Sequence, residues 1–268
     1  LPESYSAPPA EVAALFSALL TKVGLYAIFR MFTLIFYHKP EITHQLIAWM
    51  GVGTIVLGIA GVLSYWNVKH ILVYNIIITV GFLILGLAFY TSTAFEGAIY
   101  YLAHDIVAKA LLFLLGGAMI HAAGTSKLKA MGGMIKTQPV LGWMFFAAAL
   151  ALVGIPPLSG FLGKVLLIQG GFENGSVTYL WFALIGLLSS LFVLYSLIRI
   201  FLNGFYGEPK EGIVYRNNGA GVLLPCAFLL LISIGLGIGA ESVLPYVEQA
   251  AETLMNPDIY IQAVLKEQ

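Results

Sequence analysis

Charge and cysteine are both scarce in this chain of 268 residues. Charged residues make up 10% of it, and 13 basic residues balance 13 acidic ones to a formal net charge of zero. A neutral chain has no field that would attract nucleic acid or hold a polybasic segment on an anionic membrane surface, so we expect neither interaction. The single cysteine, Cys226, can form no intrachain disulfide, and its apolar neighbours indicate a packing role.

The sequence also lacks the usual signatures of redox cofactors and metal sites. It has no cysteine cluster, haem motif or dinucleotide-binding fingerprint, so we expect no cofactor, no metal site and no redox chemistry in this chain. It opens without a methionine or a signal sequence, which suggests that it begins within a longer protein.

Long apolar runs dominate what is present. Hydrophobic residues make up 60% of the chain and the mean hydropathy is +0.92, values typical of an integral membrane protein. A helix needs about 20 apolar residues to cross the hydrocarbon layer. This criterion predicts an all-α polytopic protein with about seven transmembrane helices: Pro9–Phe36, Thr43–Tyr65, Val68–Thr91, Phe95–Ala122, Gln138–Gly170, Val177–Leu202 and Gly219–Ala240.

The loops divide the basic residues unevenly between the two faces. Lys69, Lys127, Lys129 and Lys136 fall on one face, which we therefore expect to be cytoplasmic. An odd number of spans would then place the start of the chain inside the cell and its end outside, in a multi-pass protein of the plasma membrane.

The segment after the last span has the pattern of an amphipathic helix. Apolar residues such as Val243, Val247 and Ala251 recur at helical spacing, with Glu248 and Glu252 on the opposite side. An acidic polar face does not favour adsorption to anionic lipid, so we expect the helix to dock on a neighbouring subunit rather than to lie free as a surface tail.

Three lysines lie inside the apolar runs. Lys22 is near the middle of the first run, and Lys109 and Lys164 occupy similar places in the fourth and fifth. A lysine at bilayer depth costs about 2.5 to 3.5 kcal/mol on insertion scales, so such residues usually mark ion paths. Asp105 lies four residues before Lys109 on the same helical face, which allows either a structural ion pair or a pair that controls the lysine's proton affinity.

The fifth run contains the pair Pro156 and Pro157, flanked by Gly154 and Gly160. Two adjacent prolines cannot continue an α-helix, so the sequence predicts a break over residues 154–163 within the membrane. Transporters place ion sites at such breaks, and Lys164 follows this one closely. The alternative is a kink that only adjusts packing, with the lysine extended to the interface.

These segments carry a family resemblance. The stretch from Met131 through Pro156-Pro157 to Lys164 resembles the signature of the antiporter-like large membrane subunits shared by Mrp-type Na⁺/H⁺ antiporters and respiratory NADH dehydrogenase. Three further segments are most similar to the Mrp D subunit: Leu19–Tyr26, His104–Phe113 and Asn256–Leu265.

The resemblance implies a fold of fourteen helices with two inverted five-helix repeats, of which this chain would be the C-terminal half. It divides the chain into a linking helix (1–40), a five-helix half-channel (41–206), a final transmembrane helix (207–240) and an amphipathic segment (241–268). Lys22, Lys109 and Lys164 match the family's relay lysines, and we expect His104 to bridge Lys22 and Lys109 through water.

Two functions follow from the resemblance. The first is a subunit of a multisubunit antiporter that exchanges Na⁺ for H⁺ and depends on other subunits, with this chain supplying a proton half-channel. The alternative is the proton-pumping membrane subunit of an NADH:quinone oxidoreductase or a related energy-converting hydrogenase. Ser17 stands where relatives in the dehydrogenase often carry a histidine, which favours the D subunit.

Overall fold

A computed structural model describes residues 2–208, 215–216 and 218–265 of the chain, and helices account for most of them. The α-helices are α1 (Pro2–Ser6), α2 (Ala10–Leu15), α3 (Thr21–Leu34), α4 (Pro40–Ser64), α5 (Val68–Phe89), α6 (Ser92–Ala123), α7 (Pro139–Val153), α8 (Gly160–Glu173), α9 (Val177–Gly204), α10 (Ala220–Ile238), α11 (Ala240–Met255) and α12 (Pro257–Leu265).

The predicted fold class is confirmed. Among the described residues, six helical stretches are long and apolar enough to cross a membrane: Ala10–Leu34, Pro40–Ser64, Val68–Phe89, Ser92–Ala123, Val177–Gly204 and Gly221–Ile238. The predicted fifth span is two shorter helices, α7 and α8, separated by the proline pair. Together they give the seven crossings expected from the sequence.

Helices α5 and α6 form the centre of the bundle. Within the span of α5, 78% of the most apolar window is buried inside the protein, whereas the corresponding share for α4 is 39%. Helix α6 contacts α2, α5, α7, α8, α10 and α11. Polar side chains on the buried faces of α6 are therefore shielded from lipid by protein.

The loops between the helices lie on two opposite faces of the bundle. The loop after α4 pairs with the loop after α6, where Val68 N donates to Ser126 O and Leu128 N donates to Trp66 O. At the opposite face, Asn174 Nδ2 donates to Phe89 O, which ties the loop after α8 to the end of α5. These contacts place the loops after α4 and α6 on one face and the ends of α5 and α8 on the other, as expected if successive spans cross in opposite directions.

Helix α11 is amphipathic, as predicted, but its apolar face packs within this chain. Val247 and Ala251 are buried, and α11 contacts α6 and α3. The expectation that this face docks on a neighbouring subunit is therefore wrong, because the bundle itself covers it. The outer side stays open, with Tyr246 75% exposed.

Candidate functional site

Three charged side chains meet at the contact between α3 and α6. Lys22 Nζ lies 2.7 Å from Asp105 Oδ2, and Lys109 Nζ lies 4.0 Å from Asp105 Oδ1. All three residues are buried, with exposed fractions of 4% or less. One carboxylate thus stands between two amines in the interior of the membrane-spanning bundle. A buried charge is stable only when it is paired, so this trio behaves as one electrostatic unit.

A local widening of the first span positions Lys22. Residues Phe16–Leu20 form a π-helical turn between α2 and α3. Lys22 Nζ donates to the carbonyl oxygen of Ser17 at 2.8 Å, which is the second contact of the amine besides Asp105. Single π turns inside α-helices are frequent at functional sites, because they release backbone groups for other partners.

His104 faces the helix break. Its Nδ1 lies 2.7 Å from Ser159 Oγ, which in turn lies 3.0 Å from Ser233 Oγ on α10. We expected His104 to stand between Lys22 and Lys109, but Asp105 occupies that place. The reason is helical geometry, since neighbouring residues on one helix point in directions about 100° apart. His104 instead extends the row toward α8.

Lys164 lies in the half-helix that follows the break. Its Nζ donates to the carbonyl oxygen of Val153 at 2.7 Å and to Ser190 Oγ at 2.9 Å. The Val153 carbonyl is at the end of α7, where the break leaves backbone acceptors without helical partners. The amine also lies 5.9 Å from the ring centre of Phe82 and 5.7 Å from that of Tyr101.

An apolar cavity of about 650 Å³ adjoins Lys164 between α8 and α9. Its lining includes Phe161, Val165 and Leu187. The side chain of Lys164 forms one wall, while its hydrogen bonds hold the charged end against protein atoms. Val153 and Ser190, which accept these hydrogen bonds, also line the cavity, so the charged end of Lys164 lies at the cavity wall.

The glycines around the proline pair allow the two half-helices to meet. Gly154 has φ +85°, a conformation that other residues rarely adopt. A β-carbon on Gly160 would lie 2.3 Å from the carbonyl oxygen of Ala151 and 2.8 Å from His104 Nε2. The break thus brings the start of α8 directly against the histidine.

Electrostatics connect the two ends of the site. His104 interacts with the charges of Asp105, Lys109, Lys22 and Lys164. The structure therefore brings together every residue that the sequence marked for the relay. Among the described residues no group of three or more His, Cys, Asp or Glu side chains could hold a metal ion.

Three serines at the site were not singled out from the sequence as partners. Ser159 contacts His104, Ser190 contacts Lys164, and the Ser17 carbonyl accepts from Lys22. Ser159 lies within the predicted break, two residues after Pro157, which is a usable signal. Ser190 carries a weaker one, since a serine in a long apolar helix usually bonds its own backbone, as the adjacent Ser189 does.

The sequence comparisons identify a family model and curated relatives that agree with each other. A family model described as "NADH:quinone oxidoreductase/Mrp antiporter, TM" matches residues 1–193. The chain is 54% identical over 268 residues to a protein of Bacillus subtilis (strain 168) that is named as the D subunit of a Na(+)/H(+) antiporter. The match covers 100% of the chain and 54% of that relative, so the chain spans about half the length of the curated relative.

Solved structures agree with the sequence match. The chain is similar to a protein in the Mrp complex from Dietzia sp. DQ12-45-1b, with a TM-score of 0.91, 28% identity, and coverage of 99% of this chain and 57% of that one. A chain of respiratory complex I from Thermus thermophilus has a TM-score of 0.78 and 25% identity, with 92% of this chain and 52% of that one covered. By these matches the chain belongs to the NADH:quinone oxidoreductase/Mrp antiporter transmembrane family.

Proposed function

We propose that the chain is part of the D subunit of a multisubunit Na⁺/H⁺ antiporter and supplies a proton-conducting half-channel. The observation that carries this proposal is the buried trio of Lys22, Asp105 and Lys109, held at bilayer depth in a chain 54% identical to a protein with that name. Maintaining three ionisable groups there costs stability, which selection would otherwise remove.

The trio is suited to holding and releasing one proton. With both amines protonated and the carboxylate ionised its net charge is +1, and loss of one proton brings the charge to zero. A neighbouring charge on His104 or Lys164 shifts the balance between these two states, because Coulomb forces are weakly screened in the interior. The row thereby passes a charge change from Lys22 toward Lys164.

The same proposal covers the chain's role and surroundings. The chain acts as a transporter subunit rather than an enzyme, assembles with other antiporter subunits in the plasma membrane, and moves H⁺ in exchange for Na⁺. The linking helix (1–40), half-channel (41–206), final span (207–240) and terminal segment (241–268) are its functional divisions. Lys69 at the start of α5 and the lysines in the loop after α6 support a cytoplasmic position for that face.

The alternative is a membrane subunit of a redox-driven proton pump, which the likeness to respiratory complex I supports. The chain is 54% identical to the antiporter subunit and 25% identical to the complex I chain, which favours Na⁺/H⁺ exchange. Purification of the native complex separates the two functions. Iron–sulfur and flavin proteins would accompany the chain in a redox complex, and their absence from an active preparation is expected for an antiporter.

Proteoliposomes containing the complete complex test the relay. We expect Lys22→Ala and Lys164→Ala each to abolish Na⁺-dependent proton movement, since each removes one amine of the row. Internal pH, followed with a fluorescent dye after a Na⁺ pulse, is the measurement. Lys127→Ala is the matched control, because this lysine is exposed in a loop and should leave exchange unchanged.

Assembly must be measured in the same preparations. Size-exclusion profiles like those of the unaltered complex would show that the loss is one of transport. Exchange at the unaltered rate in both lysine variants would contradict the proposal.

A further inference from the structure

Tyr101 is a buried polar residue that the proposed relay does not yet use. Its side chain is fully buried in the first third of α6, and its hydroxyl has no hydrogen-bond partner within the described part of the chain. Burying an unpaired hydroxyl costs free energy that phenylalanine would avoid. Packing therefore explains the ring of Tyr101 but not its oxygen.

The position of Tyr101 along α6 continues the row of charged side chains. Tyr101, Asp105 and Lys109 are spaced four residues apart, so they follow one another on one face of the helix. All three are buried, and Tyr101 interacts electrostatically with Asp105. The phenol of Tyr101 therefore lies about one helical turn before the Asp105 carboxylate, on the same face of α6.

Tyr101 also lies between His104 and Lys164. Its ring centre is 5.4 Å from that of His104 and 5.7 Å from Lys164 Nζ. No hydrogen bond joins His104 to Lys164 directly, since the histidine bonds Ser159 and the lysine bonds Val153 O and Ser190. The ring of Tyr101 therefore lies beside both groups, and a bridging water would extend the reach of its hydroxyl to them.

Neighbouring helices hold the ring in place. Phe82 on α5 packs edge-on against it at 5.2 Å between ring centres. A β-carbon on Gly163 would lie 2.8 Å from Tyr101 N, so α8 crosses α6 at this level without a side chain between them. The ring is fixed where the half-helix that carries Lys164 meets α6.

We propose that the Tyr101 hydroxyl passes protons between His104 and Lys164. This inference rests on the proposed function. In the step, the phenol O–H bond breaks as its proton moves to the unprotonated Lys164 amine, and a proton from the His104 imidazolium forms a new O–H bond. The phenol is neutral before and after, the histidine ends neutral and the lysine ends as ammonium.

Tyr101→Phe is the direct test, because it removes the oxygen and keeps the ring. We expect Na⁺-dependent proton movement by the complete complex in proteoliposomes to fall by about tenfold or more. Tyr100→Phe is the matched control. Tyr100 is the adjacent residue, its hydroxyl donates to the carbonyl oxygen of Leu236 at 2.6 Å, and its loss should leave the exchange rate unchanged.

The lysine variants separate the two proposals. If Lys22→Ala and Lys164→Ala abolish exchange while Tyr101→Phe transports at the unaltered rate, the role of Tyr101 is refuted and the relay stands. If the lysine variants transport normally, the relay itself is refuted.

A second substitution covers the case in which Tyr101→Phe fails to assemble. Replacement of Tyr101 by 3-fluorotyrosine keeps the ring and the hydroxyl but makes the phenol more acidic. A proton-passing role predicts a shift in the pH profile of exchange, because the altered group takes part in the transfer. An unchanged pH profile in the assembled complex would overturn the inference.

Discussion

Asp105 is the residue on which the site depends most. It alone offers a carboxylate to Lys22 at 2.7 Å and to Lys109 at 4.0 Å, among the described residues. Breaking a buried ion pair by removing one partner leaves a charge without compensation, which costs more than the intact pair contributes. The positive charges of Lys22 and Lys109 can therefore be buried close together only because the Asp105 carboxylate balances them.

Asp105→Asn should both stop transport and destabilise the protein. The substitution leaves two buried amines facing a neutral amide, at a cost of about 3 to 5 kcal/mol. We expect a lower Tm for the purified complex and loss of exchange in proteoliposomes. Asp258→Asn is the control, because that aspartate is exposed and should change neither property.

A double variant distinguishes charge imbalance from a packing defect. Lys22→Met combined with Asp105→Asn removes one positive and one negative charge together, so its Tm should exceed that of Asp105→Asn alone. Exchange should stay absent, since the relay still lacks its acid. Equal Tm values for the single and double variants would contradict an electrostatic origin.

At the residue scale, the sequence predicted the members of the site better than their pairing. The interval of four between Asp105 and Lys109 follows from helix geometry and was readable in advance. The closer partner of Asp105 is Lys22, which belongs to another span. That contact depends on how α3 is rotated against α6, and no periodicity within one helix contains this information.

Among the helices, the broken pair α7 and α8 determines the geometry of the site. The break exposes the Val153 carbonyl, which accepts from Lys164, and brings Ser159 to His104. Gly160 allows the close approach, since a β-carbon there would meet the backbone of α7. The half-helices therefore act as one support for the histidine and the terminal lysine.

Gly160→Ala should disturb this support. The added methyl group would meet the Ala151 carbonyl oxygen and His104 Nε2, so α8 must shift, at a cost of about 1 to 3 kcal/mol. We expect a lower Tm and slower exchange. Gly24→Ala is the matched control, because nothing lies within 4 Å of the β-carbon it would add.

In the control variant, the helix propensity of alanine should maintain or raise the Tm slightly. Equal Tm values for Gly160→Ala and the unaltered protein would show that the break accommodates a side chain, contrary to the geometry described.

At the element scale, local chemistry predicted the helices, and packing decided their surroundings. Pro156 and Pro157 were sufficient to predict the break, since proline lacks the amide hydrogen that a helix needs. The apolar stripe of α11 was equally clear, but the surface that covers it was predicted wrongly. Amphipathicity shows that a face is buried and does not identify its partner.

The whole molecule presents two faces that differ in charge and in the loops they carry. The loops after α4 and α6 pair with each other, while the loops after α5 and α8 meet at the other end. Lys127 lies at the first face and Ser176 at the second. These positions allow the proposed orientation to be measured.

Cysteine labelling should show the orientation in intact cells. Cys226 is the single cysteine of the 268 residues and is buried, so Cys226→Ala removes the cysteine of this chain. In that background Ser176→Cys should react with a membrane-impermeant maleimide added outside. Lys127→Cys should react only after the membrane is permeabilised, and the reverse pattern would contradict the orientation.

The sequence by itself determined the membrane class, the helical spans, the break and the lysines within the spans. These features follow from local composition, because the bilayer requires apolar helices and penalises each charge where it lies. Only the tertiary structure decided that Asp105 joins Lys22 to Lys109, that His104 turns to Ser159, and that Tyr101 meets Lys164. The spans are apolar on almost every side, so close packing rather than an apolar stripe sets which face each helix turns inward.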